Sequence, residues 1–306
     1  LKQWILTFLK GAAMGAADVV PGVSGGTIAF ITGIYETLLE SIRRINPTLI
    51  IRLKNEGIKG SWEYINGTFL VVLFAGILTS IATLAKVISF LLVEHPVPLW
   101  SFFFGLIIVS VWHMLRQVQS WQVSRILALV LGGLFAYGIT EVTPVSLDVN
   151  YVTVFFGGAI AICAMILPGI SGSFILLLLG LYSGILGAVK SFDIGIISVF
   201  MLGCITGLLS FSHILSMLLK RAKDIMLVFL TGLMIGTLPK IWPWKQTITW
   251  RTNSKGEQVP LLQENLSPET YEQLLNLPAQ LPMALALMAV AISIVLALEY
   301  FGKDQG

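Results

Sequence analysis

The sequence predicts an all-α polytopic membrane protein made of two inverted repeats, each a broken re-entrant helical hairpin followed by three transmembrane helices. Three observations predict it. The composition is apolar and poor in charge, six long runs are almost free of charged residues, and a Pro-Gly break occurs twice in matching surroundings.

Of the 306 residues, 56% are hydrophobic and 11% charged, with a mean hydropathy of +0.87. A soluble domain carries about 25% charged residues, so a soluble enzyme is excluded, and the apolar content excludes disorder. The net charge of +3 is spread over loops and leaves no footprint for a nucleic acid. Cys163 and Cys204 both sit in apolar runs, where they read as small buried hydrophobes. His95, His113 and His213 are scattered, so no disulfide framework, metal site or cofactor is expected. Asp18 and Pro21-Gly22 interrupt the first apolar stretch, which is therefore not read as a cleavable signal.

A bilayer core needs about 20 apolar helical residues. In chain order, residues 5–42 form the first broken hairpin and 43–66 a polar loop, followed by spans at 67–93, 99–115 and 126–140. Residues 151–190 form the second hairpin, followed by spans at 194–219, 225–242 and 281–299. The polar stretch 243–279, with Pro260, Pro268 and Pro278, reads as an outer lid or surface element. Residues 1–145 make repeat one and 146–306 repeat two. Each hairpin is read as two short helices, because Pro ends one helix and suits the first turn of the next.

The two breaks are copies. PGVSGGTIAFITGIY begins at Pro21 and PGISGSFILLLLGLY at Pro168, an offset of 147, with Ser24 matching Ser171, Gly33 matching Gly180 and Tyr35 matching Tyr182. Further on the offset is 127: Gly76 matches Gly203, Lys86 matches His213, and Gly105-Leu106 matches Gly232-Leu233. A re-entrant hairpin adds no crossing and a spanning pair adds two, so each repeat crosses an odd number of times. The repeats then lie in opposite orientations, as in many secondary transporters. With both termini in the cytoplasm, 13 of the 19 Lys and Arg fall inside, five fall outside and Lys86 lies within a span. The positive-inside rule selects this orientation.

A break in a membrane helix frees backbone polar groups, so it survives only when buried in protein or lining a cavity. Here the freed N–H groups of Gly22, Val23, Ser24, Gly25, Gly26 and Thr27, and of Gly169, Ile170, Ser171, Gly172 and Ser173, start new helices. There the dipole is positive, glycine permits close approach and the hydroxyls add donors. The arrangement suits an anion, and phosphate in particular. A leucine at Gly25 or Gly172 is accordingly expected to block transport while sparing the fold. The alternative, that Gly and Ser serve only close helix packing, fits Gly11-x-x-x-Gly15 and Gly203-x-x-x-Gly207 better. Lys86 either snorkels outward or contacts the phosphate, and His213 is either a second contact or a neutral histidine. Asp18 and Glu36 have no acidic counterparts in repeat two. Asp18 either caps the helix after Pro21 or, like Glu36, carries a coupling proton or Na⁺. Coupling has a physical motive: moving one negative charge inward against 100 mV costs about 2.3 kcal/mol.

Ala16-Ala17-Asp18-Val19-Val20-Pro21-Gly22-Val23-Ser24-Gly25-Gly26-Thr27, with Gly33-Ile34-Tyr35-Glu36, resembles the signature of the bacterial polyprenyl-phosphate transporter family. The second copy around Pro168 and the matched glycines fit as well, so the resemblance covers essentially the whole chain. It implies a multi-pass translocase in the bacterial inner membrane. The implied task is to return undecaprenyl phosphate from the outer to the inner leaflet for reuse in cell-wall synthesis. Residue patterns alone lead only to an inverted-repeat carrier for an anion. Two other functions stay open at this point: an ion-coupled carrier of a small soluble anion, and a lipid-phosphate phosphatase. The latter wants a nucleophile–base pair or a metal cluster. The oligomeric state is not legible.

Overall fold

The computed structural model describes residues 2–20, 23–118, 120–142, 144–145, 147–252 and 258–303. The first apolar region forms helices α1 (Lys2–Val19), α2 (Gly25–Ile31) and α3 (Tyr35–Arg43). They are followed by α4 (Thr48–Tyr64), α5 (Gly67–Glu94), α6 (Pro96–Arg116) and α7 (Val123–Glu141). The second apolar region forms α8 (Tyr151–Ile166), α9 (Gly172–Leu178) and α10 (Tyr182–Ser191), followed by α11 (Ile194–Arg221) and α12 (Lys223–Gly236). A 3-10 turn at Leu238–Ile241 leads to strands β1 (Lys245–Thr252) and β2 (Gln258–Asn265), then α13 (Pro268–Leu275) and α14 (Leu281–Lys303).

The chain is a helical multi-pass membrane protein. Among the described residues, α5, α6, α7 and α11 are long and apolar enough to cross a bilayer, and the bent pair α9–α10 adds a fifth candidate. Exposed Val71, Phe74 and Leu78 on α5, and Met201, Leu202 and Ile205 on α11, form apolar faces that water would not tolerate.

Three sequence expectations need correction and a fourth gains detail. First, each hairpin region holds three helical pieces rather than two. α2 and α9 both stop at a glycine with φ of +72°, Gly33 and Gly180. The following N–H reaches back five residues, Ile34 to Ala29 and Leu181 to Leu176, at 3.0 Å in both. This is a Schellman stop, for which glycine is the preferred residue. Second, 43–66 is not a loop but contains α4, kinked at Gly57 and bearing an Arg52–Glu56 ion pair one turn apart. Its exposed Ile50, Ile51, Leu53 and Trp62 alternate with cationic residues, an amphipathic pattern too polar for a span. Third, the run 225–242 is helical only to Gly236, because Pro239 tightens the chain into the 3-10 turn. Fourth, the polar stretch 243–279 holds local secondary structure, an antiparallel β-hairpin and a short helix, within a predominantly helical fold.

Packing of the first helix pairs repeats at the two sequence offsets: α1 lies along α5 and α8 along α11. Beyond them, α6 pairs with α14 and α12 with α7. A Cβ on Gly76 would overlap the Phe8 carbonyl, and one on Gly203 would overlap the Phe155 carbonyl, so matched glycines meet matched phenylalanines. Gly105 abuts Met288 of α14, while its counterpart Gly232 abuts Leu129 of α7. The Cys163 and Cys204 thiols face the Gly207 and Gly158 carbonyls across the α8–α11 contact. The main core forms where hairpin one wedges between α6, α11 and α12, around Val23, Phe30, Leu39, Ile107, Leu215 and Leu233.

Candidate functional site

The two breaks touch. Ser24 is fully buried and extended (φ −123°, ψ 137°), and it caps α2 by accepting a hydrogen bond from the Gly26 N–H at 3.1 Å. Its hydroxyl donates to the Met165 carbonyl of the other repeat at 2.8 Å. Thr27, also fully buried, accepts from the Gly169 N–H at 2.8 Å. A side chain at Gly26 would lie 2.5 Å from the Ile166 carbonyl, so glycine is needed for this approach. Val23 and Ile170 are buried beside these contacts. Gly22 lies outside the described residues.

The breaks differ in how their donors are used. At α2, the Gly25 N–H is bonded to Asp18 Oδ1 at 2.7 Å, Gly26 to the Ser24 hydroxyl and Thr27 to the Ser24 carbonyl. The protein's own carboxylate thus occupies the position an anion would take at a helix start. At α9, the position matching Asp18 is Met165, and Ser171 makes no side-chain cap bond. Its hydroxyl pairs with that of Ser173 at 2.9 Å. Among the described residues, the N–H groups of Gly172, Ser173 and Phe174 have no partner, and Ser173 is exposed. Gly169 (φ +88°) turns the chain here, and a Cβ on it would press on the Thr237 hydroxyl at 2.7 Å.

Of the residues singled out in the sequence, Ser24, Gly25, Gly26, Thr27, Asp18 and the Gly169–Ser173 segment are brought together. The others are not. Lys86 and His213 are exposed on α5 and α11, with no hydrogen bond or ion pair to the breaks among the described residues. Glu36 forms a half-exposed ion pair with Lys223 at 2.7 Å. The expectation that leucine at Gly25 or Gly172 spares the fold also changes. A Cβ would lie 2.6 Å from Asp18 Oδ2 at the first position and 2.6 Å from the Ala161 carbonyl at the second, so both substitutions disturb packing.

Sequence reading missed Glu40. It accepts from Arg43 and Ser216 and pairs with Lys220, tying α3 to α11. The i, i+3 and i, i+4 spacing of Glu40 to Arg43 and Arg44 was its visible signal, but the α11 partners lie some 176 residues away.

The unequal roles of the two serines give a measurable difference. Ser24→Ala removes a buried cap and a bond to the other repeat, and should cost about 2 kcal/mol. Ser171→Ala removes one hydroxyl–hydroxyl bond and should cost about 1 kcal/mol or less. Thermal unfolding in detergent should rank Ser24→Ala below Ser171→Ala; equal midpoints would contradict the bonding described.

A family model described as undecaprenyl phosphate translocase-like matches residues 14–259. A curated protein of Vibrio cholerae serotype O1 named polyprenyl-phosphate transporter is 64% identical over 301 residues, covering 98% of each chain. A polyprenyl-phosphate transporter of Staphylococcus aureus is 31% identical over 263 residues, covering 79% of this chain and 87% of that one. No solved structure matches.

Proposed function

Because the chain belongs to the undecaprenyl phosphate translocase-like family, we propose that it carries a polyprenyl phosphate, specifically undecaprenyl phosphate, across the bacterial inner membrane. Transport runs from the outer to the inner leaflet, driven by a coupled proton or Na⁺. The two repeats, 1–145 and 146–306, lie in opposite orientations with both termini in the cytoplasm. The observation that carries the reading is the direct bonding of one break to the other, Ser24 to Met165 and Thr27 to Gly169.

A lipid phosphate has an anionic head that needs polar partners and a tail that stays in hydrocarbon. The meeting point of the breaks supplies hydroxyls and backbone N–H groups. The donors of Gly172 and Ser173 and the hydroxyls of Ser171 and Ser173 receive the phosphate before Ser24 and Thr27 do. Ser24 and Thr27 have no exposed surface, so the head group reaches them only when hairpin one and the second break part. The Ser24–Met165 and Thr27–Gly169 bonds are then the closed latch, and phosphate takes over the donors they release. Asp18 holds the Gly25 N–H until the coupling cation neutralises it. Lys86 and His213, both exposed, act at the head group's approach rather than at the latch.

The experiment is transport in proteoliposomes containing labelled undecaprenyl phosphate in the outer leaflet. Purified protein should speed its disappearance from that leaflet, and labelled inorganic phosphate should not enter. Uptake of inorganic phosphate with no lipid movement would replace this reading with a soluble-anion carrier. Release of phosphate from undecaprenyl pyrophosphate would replace it with an enzyme.

A further inference from the structure

The segment after α12 runs along the second break and brings Lys240 to it, with Lys245 behind it against α6. Thr237 faces Gly169. Three residues on, Lys240 places its Nζ 4.8 Å from the ring centre of Phe174, in the first turn of α9. Lys245, at the start of β1, places its Nζ 4.1 Å from the ring centre of buried Trp100 on α6 and donates to the Lys240 carbonyl. The segment is fixed from outside. The Trp242 indole donates to the Leu266 carbonyl and the Trp244 indole to that of Ala279, each at 2.8 Å, and the Asn265 side chain donates to the Pro239 carbonyl.

Among the described residues, these two amines lie close together without a counter-ion. Arg43, Arg44 and Lys220 share Glu40, Arg125 pairs with Asp224 and Lys223 with Glu36. Among the described residues, neither Lys240 nor Lys245 has a carboxylate within ion-pair distance; Glu141, at the end of α7, acts on Lys240 only from farther away. Two like charges, partly buried among aromatic rings, raise the energy of the free protein, and a bound anion lowers it. Burial, with the neighbouring Lys240 charge, pushes the Lys245 ammonium down to about 7. Aromatic rings around a cation also suit the membrane–water boundary, where a lipid head group lies.

We propose that Lys240 and Lys245 form an outer receiving site for a phosphate monoester head group, which they hand to the second break. The proposal rests on the transport reading and adds to it a docking step that the breaks themselves do not provide. The ligand chemistry is a phosphate bearing one or two charges, and the tail decides whether it belongs to a lipid or to a free ion.

The test uses the full chain in detergent, with farnesyl phosphate as probe and fluorescence of the tryptophans, including Trp100, Trp242 and Trp244, as readout. Lys240→Gln and Lys245→Gln should each weaken binding by about tenfold, as expected for losing a charged hydrogen bond, while Lys245→Arg should bind like the unaltered protein. Inorganic phosphate should compete weakly and farnesol not at all; competition by farnesol equal to that of farnesyl phosphate would overturn the site. A pH series keeps the test decisive even if the glutamine variants fold poorly. Among the described residues, the charged groups near Lys245 are Lys240 and, beyond it, Glu141, while α6, α9 and β2 present Trp100, Phe174 and Asn265. A phosphate monoester, with a second ionisation near about 6, only gains charge from pH 6 to 9. Weaker binding over that range must therefore come from the protein. It should occur in the unaltered chain and vanish in Lys245→Arg; the same pH profile in both would overturn the proposal. Binding of farnesyl phosphate that is equal in the unaltered protein and both glutamine variants would overturn the receiving site and leave the transport reading standing. No binding by the unaltered protein would overturn both.

Discussion

Gly76→Val and Gly203→Val should each yield little folded protein. At both positions even a Cβ would overlap a backbone carbonyl of the neighbouring helix, Phe8 in one repeat and Phe155 in the other. Backbone cannot swing aside as a side-chain tip can, so α1 must separate from α5, or α8 from α11. Overpacking of this kind costs about 1–3 kcal/mol where the neighbours can adjust and more where they cannot. In a membrane these helices lack a hydrophobic drive to associate, so close packing carries most of their attraction. The loss should be visible as aggregation on size exclusion and as a lowered thermal midpoint. Gly138→Val is the control, because no atom lies within 4 Å of a Cβ placed there. Equal loss for Gly138→Val would mean that valine itself, and not the helix contact, is the cause. Similar damage at Gly76 and Gly203 is expected, since the two contacts are counterparts.

That pairing shows how far the sequence is legible. The offsets of 147 and 127 relate Phe8 to Phe155 and Gly76 to Gly203, and the structure brings the members of each pair together. Repetition is readable because a packing solution, once found, constrains the same residue types at the same spacing. Gly33-x-Tyr35 and Gly180-x-Tyr182 were equally visible as a repeat, yet their meaning as helix stops was not. A glycine's sign of φ is set by the turn it completes, and glycine within an apolar run serves packing just as well. α4 escaped because hydropathy finds spans, whereas a surface helix is recorded in the spacing of its charges. Lys240 and Lys245 escaped for a different reason. In sequence they are two basic residues beside a polar loop, and only the return of the chain over α9 and α6 brings them to Phe174 and Trp100.

Asp18→Asn should abolish the response of transport to an imposed cation gradient while leaving the fold nearly intact. Asp18 accepts from the Gly25 N–H at 2.7 Å and so does the work of a cap. Asparagine can keep that bond, because its side-chain oxygen caps helices about as well as a carboxylate does. It cannot take up a proton or attract Na⁺. Alanine loses both the bond and the charge and should cost about 0.5–2 kcal/mol of stability. The pair Asn and Ala therefore separates capping from coupling. If Asp18 carries the coupling cation, both variants lose the gradient response, and only alanine lowers the thermal midpoint. The expected size follows from the potential: one compensated charge at 100 mV is worth about 2.3 kcal/mol, roughly a fiftyfold change in the distribution of the lipid. Glu36 supplies the comparison. Its ion pair with Lys223 is half exposed, a setting that contributes about 0–1 kcal/mol, and Glu36→Gln should leave both midpoint and gradient response close to those of the unaltered protein. Uptake of labelled undecaprenyl phosphate into proteoliposomes, under pH and Na⁺ gradients applied separately, reads all three variants. A gradient response that survives in Asp18→Asn would reduce Asp18 to a cap and move the coupling site elsewhere; its loss in Glu36→Gln alone would move it to the α3–α12 ion pair.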